Sequence, residues 1–152
     1  AHKLCFFAPA PSSKTAGDGA GRETKERRMD MTGRECFLAA MNLLGEQEEG
    51  AAYYETFALG ALRQLMNNCL REINALRQAD GKEELRIAPP PGALEDALDA
   101  DEAMVRECFP YGLAALLVCD EDHEKFNWLG SEFAARLDRH CPAAQFLVKE
   151  LY

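Results

Sequence analysis

The sequence has no apolar run long enough to span a membrane, no Cys-x-x-Cys pair, no phosphate-binding loop and no internal repeat. Its longest apolar stretch, Leu113 to Cys119, falls far short of the ~20 residues that a bilayer crossing requires. Only His2 and Lys3 precede the very short apolar patch Leu4–Ala8, so no secretory signal is read there. Basic side chains are also scarce, with 17 Lys and Arg against 26 Asp and Glu and a net charge of −9. The imbalance is uneven. Residues 1–30 hold six basic and four acidic side chains, whereas the chain from Met31 onward holds 11 and 22. A body of that sign repels a phosphate backbone, which argues against tight nucleic-acid recognition through a broad surface and leaves only a local basic spot open.

What is present is a chain of 152 residues, 47% of them hydrophobic, enough for one domain with a real core. Six cysteines (Cys5, Cys36, Cys69, Cys108, Cys119, Cys141) invite a disulfide framework. Several fall on the apolar faces of predicted helices, where a reduced cysteine acts as a small buried hydrophobe. They are read as the reduced thiols of an intracellular protein.

Residues 1–30 differ in kind from the rest. Ala8 to Gly21 is rich in Pro, Ser, Ala and Gly, and Arg22 to Arg28 is a dense run of mixed charge. Such composition buries too little apolar surface to offset its ordering entropy. Two readings stay open: a flexible arm that docks on a neighbour, or a non-native extension ahead of a start at Met29 or Met31. The domain proper is expected over 31–152.

Four helical segments are expected beyond it. Thr32 with Glu35 three residues on is a capping box, Phe37, Leu38, Met41 and Leu44 keep helical spacing, and Gly45 is a stop. From Tyr53 to Ala79 the series Tyr54, Phe57, Ala61, Leu65, Cys69, Ile73, Leu76, widened by Leu62, Met66 and Leu70, predicts one long amphipathic helix. Arg63, Asn67, Arg71 and Asn74 lie opposite, and Asp80-Gly81 ends it. Residues 82–100 read as a crossover, in which Leu85-Arg86-Ile87 suits a short extended segment and Pro89-Pro90-Pro91 forbids a helix. Asp101 and Glu102 suit the start of a third helix carrying Val105, Phe109, Leu113, Leu116 and Leu117. Pro110 predicts a kink there, or a fresh helix start. The fourth helix runs from about His123 to Arg139 with Phe126, Leu129, Phe133 and Leu137 inward, and an apolar tail (Phe146, Leu147, Leu151, Tyr152) is expected to pack back on the bundle. The expected fold is all-α: a small bundle of about four helices with a long proline-containing crossover between the second and third.

The chemistry tests poorly. Cys119 with His123, one helical turn apart, and the adjacent His140-Cys141 are the best metal-ligand candidates, but no further ligands at zinc spacing accompany them. A core cysteine beside a solvent-facing histidine is the bland alternative. Nucleophilic pairs drawn from six thiols and three histidines carry no signal without geometry. The Gly-rich stretch Ala16–Gly21 has no following Lys-Ser/Thr and no preceding strand. Asp120, Glu121, Asp122 and Glu124 lack the alternating oxygens and the glycine of a calcium loop and read as a solvated turn. No catalytic, metal or cofactor residue is assigned. Trp128 lies about 100° off the inward line of its helix, so it either meets a protein neighbour or covers one end of the bundle.

The segment Cys108-Phe109-Pro110-Tyr111-Gly112-Leu113-Ala114-Ala115-Leu116-Leu117-Val118, then Asp120-Glu121-Asp122, then Phe126-Asn127, is similar to the C-terminal half of the small head–tail connector (neck or adaptor) proteins of tailed bacteriophages and prophages. The long amphipathic helix with Tyr54, Leu62, Asn67 and Ile73, and the crossover with prolines and acids, also fit. The resemblance spans about Met31 to Arg139, with the final-helix aromatic matched only loosely by Phe133. It implies a non-enzymatic ring subunit beneath the portal vertex, with copies of itself, the portal and the neck or tail proteins as partners. Double-stranded DNA would pass through the ring without specific binding, and no membrane would be involved. It implies a place in the cytoplasm of the bacterial host and then in the virion neck. Tyr53, Trp128 and Tyr152 are the candidate subunit-contact residues. Two other classes remain: a small intracellular helical adaptor or regulatory protein, and a metal- or thiol-dependent helical-bundle enzyme using Cys119, His123, His140 and Cys141.

Overall fold

The computed structural model describes residues 30–141; the expectations for residues 1–29 and for the apolar tail with Tyr152 lie outside them. The chain divides after Asp30 into two units. The described residues of the second, from Met31 onward, form an all-α bundle of five helices: α1 (Gly33–Leu44), α2 (Glu48–Asn68), α3 (Leu70–Ala79), α4 (Glu102–Val118) and α5 (His123–His140). No helix among the described residues is long and apolar enough to cross a membrane.

The capping chemistry written in the sequence is present. The Thr32 hydroxyl accepts from the Glu35 amide at 3.2 Å, and the Glu35 carboxylate accepts from the Thr32 amide at 3.1 Å. Gly45 ends α1 with φ 69°, a conformation that costs glycine little. Asp101 and Asp122 accept from the Met104 and Lys125 amides and start α4 and α5. Both carboxylates also sit at the positive end of a helix dipole.

The core lies around α4, which packs most extensively on α5, then on α1 and α2. Met104, Cys108, Phe109, Leu113 and Ala114 of α4 have no exposed surface. Packed with them in one cluster are Cys36 and Ala40 of α1, Leu62 and Met66 of α2, and Leu129 of α5. Gly112 marks the closest approach: a Cβ there would lie 2.8 Å from a Leu65 methyl and 3.0 Å from the Phe133 ring. No polar or charged residue is buried among the described residues.

Four expectations are corrected. The long second helix begins earlier, at Glu48, and is divided into α2 and α3 at Cys69, whose ψ of 11° departs from helical values. The Leu65–Cys69 and Cys69–Ile73 backbone bonds persist on either side, so the joint bends the helix without ending its hydrogen bonding. Asn67 and Asn68, poor helix formers, stand just before it. Second, of the two outcomes offered for Pro110 the fresh helix start is not taken: α4 runs unbroken through it. A mid-helix proline costs about 3 kcal/mol, and the burial of α4 on nearly every side offsets it. Third, Leu85-Arg86-Ile87 forms no strand. Fourth, Phe57 leaves the expected inward stripe: it is 53% exposed while Tyr54, Leu62, Leu65 and Met66 of that stripe are buried, and Leu38 of α1 also faces out.

The crossover is held by the polar face that helical periodicity assigns to solvent. Asn74 pairs with both backbone groups of Leu85 at 2.9 and 2.8 Å, Arg77 donates to Glu83 O, and Arg63 donates to Pro91 O. The crossover in turn caps α1. The Gly33 and Arg34 amides, without intrahelical acceptors, donate to Asp96 O and Leu94 O at 3.0 and 2.7 Å. Arg34 then bridges Glu55 of α2 and Glu95 of the crossover, which holds the Glu95 carboxyl below its usual range.

Candidate interaction surface

Chemistry-bearing side chains are dispersed by this fold. Cys119 ends α4 half-exposed and His123 opens α5 at its surface, while His140 and Cys141 lie at the other end of α5, about 27 Å away for an 18-residue helix. His140 Nε2 lies 2.7 Å from a Glu107 oxygen, and the Cys141 sulfur faces Glu72 O at 4.0 Å. Among the described residues no three His, Cys, Asp or Glu side chains stand where they could share a metal ion.

The five cysteines among the described residues are free, and Cys36, Cys69, Cys108 and Cys141 are buried. Burial pushes the first three thiols up to about 12 and Cys141 up to about 11. They stay protonated at neutral pH, the unreactive form of a thiol. As pH rises past the ordinary thiol value the unfolded chain ionises first, so these four stabilise the fold below about 9 and progressively less above it.

The exposed apolar side chains gather differently. Tyr53 packs edge-on against both Tyr54 and Phe57 with ring centroids 5.3 and 5.4 Å apart. Tyr53 and Phe57 stand on the outer side of α2, 56% and 53% exposed. With Leu116 and Leu117 of α4 they line an open groove of 520 Å³ whose rim carries Asp120 and Glu121. The Tyr54 hydroxyl donates to the rim residue Glu121 at 2.5 Å; that bond, with burial and the nearby Glu46 charge, raises the Tyr54 pKa. No Lys or Arg lines the groove, and Arg63, the one cation within the lining stretches, is engaged by the crossover at Pro91 O. Apolar floor and acidic rim result directly from that.

A second apolar feature lies on another side of α4. Tyr111 and Leu116 are five positions apart, roughly 140° around the helix. The Tyr111 ring meets Trp128 edge-on at 6.4 Å, and the Arg136 guanidinium stacks on its face at 4.1 Å while donating to its hydroxyl at 3.0 Å. Trp128 itself is 55% exposed. Arg136 Nε is enclosed without a hydrogen-bond acceptor, its paired carboxylate Glu132 standing 3.5 Å away.

Of the three contact candidates from sequence, Tyr53 and Trp128 are both exposed, on separate surfaces that the fold does not bring together. Tyr152 lies outside the described residues. Periodicity places Phe57 inward because 54–57–61 steps correctly, and so misses it as a surface residue. The row 54–58–62–66 is buried throughout with Leu65 beside it, and Phe57 lies on the margin away from Ala58, the signal that could have found it. Comparison of the chain with protein-family models, with curated proteins and with solved structures finds no match.

Proposed function

We propose that this chain is a structural subunit of a tailed-phage or prophage head–tail connector ring, joining the portal to the neck or tail and lining the DNA channel. The observation that carries the reading is the exposure of Tyr53, Phe57 and Trp128 on different sides of a chain whose interior is already filled. Large aromatics left in water on two unlike surfaces suit a protein that meets neighbours on both. A ring of identical subunits joined head to tail needs two different complementary faces on each copy. The family-like segment supports the same reading from the sequence side. Its Pro-Tyr-Gly stretch belongs to the central helix, its Asp-Glu-Asp to the α4–α5 turn, and its Phe-Asn to the first turns of α5. The acidic body suits a wall past which DNA slides without adhering. No cofactor takes part.

The test is sedimentation of the full chain with and without the portal ring encoded in the same genome. A discrete portal-bound ring is expected. A chain that stays a monomer and never associates with the portal overturns the reading.

A further inference from the structure

We infer that the Tyr53–Phe57 groove is the seat for the Trp128 edge of a second copy of this chain. The inference rests on the assembly reading above and assigns its two faces. The groove offers an apolar floor, and the charged side chains that line it, Asp120 and Glu121, are both acidic. Its occupant must therefore bring an apolar group flanked by positive charge. Along α5, Lys125, Trp128, Glu132, Arg136 and Arg139 fall on one stripe, about one turn apart, with an exposed indole among three cations and one acid. Glu132 is paired with Arg136 and Glu124 lies beside the stripe, leaving that edge net positive by one charge on a chain whose body is −11 from Met31 onward. Lys125 and Arg139 enter no ion pair among the described residues, so both remain able to meet the Asp120 and Glu121 rim of a neighbour.

The alternatives on the same chain fit less well. Groove against groove would set two acidic rims together, and Trp128 against Trp128 would set two cationic edges together, each opposed by like charge. Groove against edge pairs unlike surfaces in both polarity and sign. Because the two surfaces lie on different sides of α4, the contact is heterologous and leaves a free groove at one end and a free indole at the other. A third and later copies can add in the same way.

The experiment is a complementation test on the full chain by sedimentation velocity. One variant loses the groove (Tyr53→Ser with Phe57→Ser) and another loses the edge (Trp128→Ser). All three side chains are more than half exposed, and circular dichroism checks that each variant folds. Wild type is expected to self-associate with concentration, less so at high salt. Each variant alone weakens that association about 30-fold, the ~2 kcal/mol of an aromatic hot spot. An equimolar mixture recovers association, but only to the dimer, because one intact groove meets one intact indole. A mixture that stays monomeric, or variants that associate as wild type does, overturns the pairing. Portal binding separates the two claims. Unimpaired variants that still seat on the portal ring remove this pairing and leave the connector reading. A chain that neither self-associates nor seats there removes both.

Discussion

Phe109 and Phe57 are the same side chain in opposite situations. Phe109 sits mid-way along α4 with no exposed surface, whereas Phe57 stands on the outer side of α2 with half of its surface in water. The first belongs to a helix surrounded by α1, α2 and α5, and the second to a helix packed along one side. The difference shows that hydrophobicity here serves two ends. Apolar groups around α4 close the fold, and those at the groove and the Trp128 edge are left over from it.

Three substitutions break or sharpen this contrast. Phe109→Ala removes a fully buried ring and should destabilise by about 3–5 kcal/mol in chemical denaturation. A loss below about 1 kcal/mol would mean that α4 is not the centre of the core. Gly112→Ala tests the tightest point of the same helix. Its added methyl meets Leu65 at 2.8 Å and Phe133 at 3.0 Å, and repacking should cost about 1–3 kcal/mol, read as a lowered melting temperature. A stabilised variant would show that α2, α4 and α5 do not meet so closely. Phe57→Ser should have the smallest effect, about 0.2–0.5 kcal/mol from its exposed partner Tyr53. A cost of 2 kcal/mol would erase the distinction between the two phenylalanines.

Legibility from sequence tracks the range of the interaction involved. Thr32, Glu35 and Gly45 announce α1, because a cap is a bond between residues three or four apart and needs nothing distant. Asp101 and the α4–α5 turn are legible for the same reason. Phe57 is misplaced by periodicity because it lies on the margin of a wide apolar stripe, and only the surfaces of α1 and α4 decide how much of that width is covered. Pro110 looks like an interruption, since its local cost is visible in sequence and the burial that offsets it is not. Arg63, Asn74 and Arg77 look like a solvated stripe, yet their acceptors are crossover carbonyls that no periodicity reveals.

The sequence by itself determined that this chain is helical, where most helices begin and end, and that its body is acidic. Those properties depend on residue type and on neighbours within one turn. Tertiary structure alone decided how much of the apolar stripe of α2 is covered, what satisfies the first amides of α1, and which aromatics remain in water. Burial is a property of a pair of surfaces, so a single helix cannot record it. The reading of the exposed aromatics as docking surfaces rests on their being superfluous to a core already closed around α4. Variants at Tyr53, Phe57 or Trp128 that unfolded the bundle would show them to be part of that core.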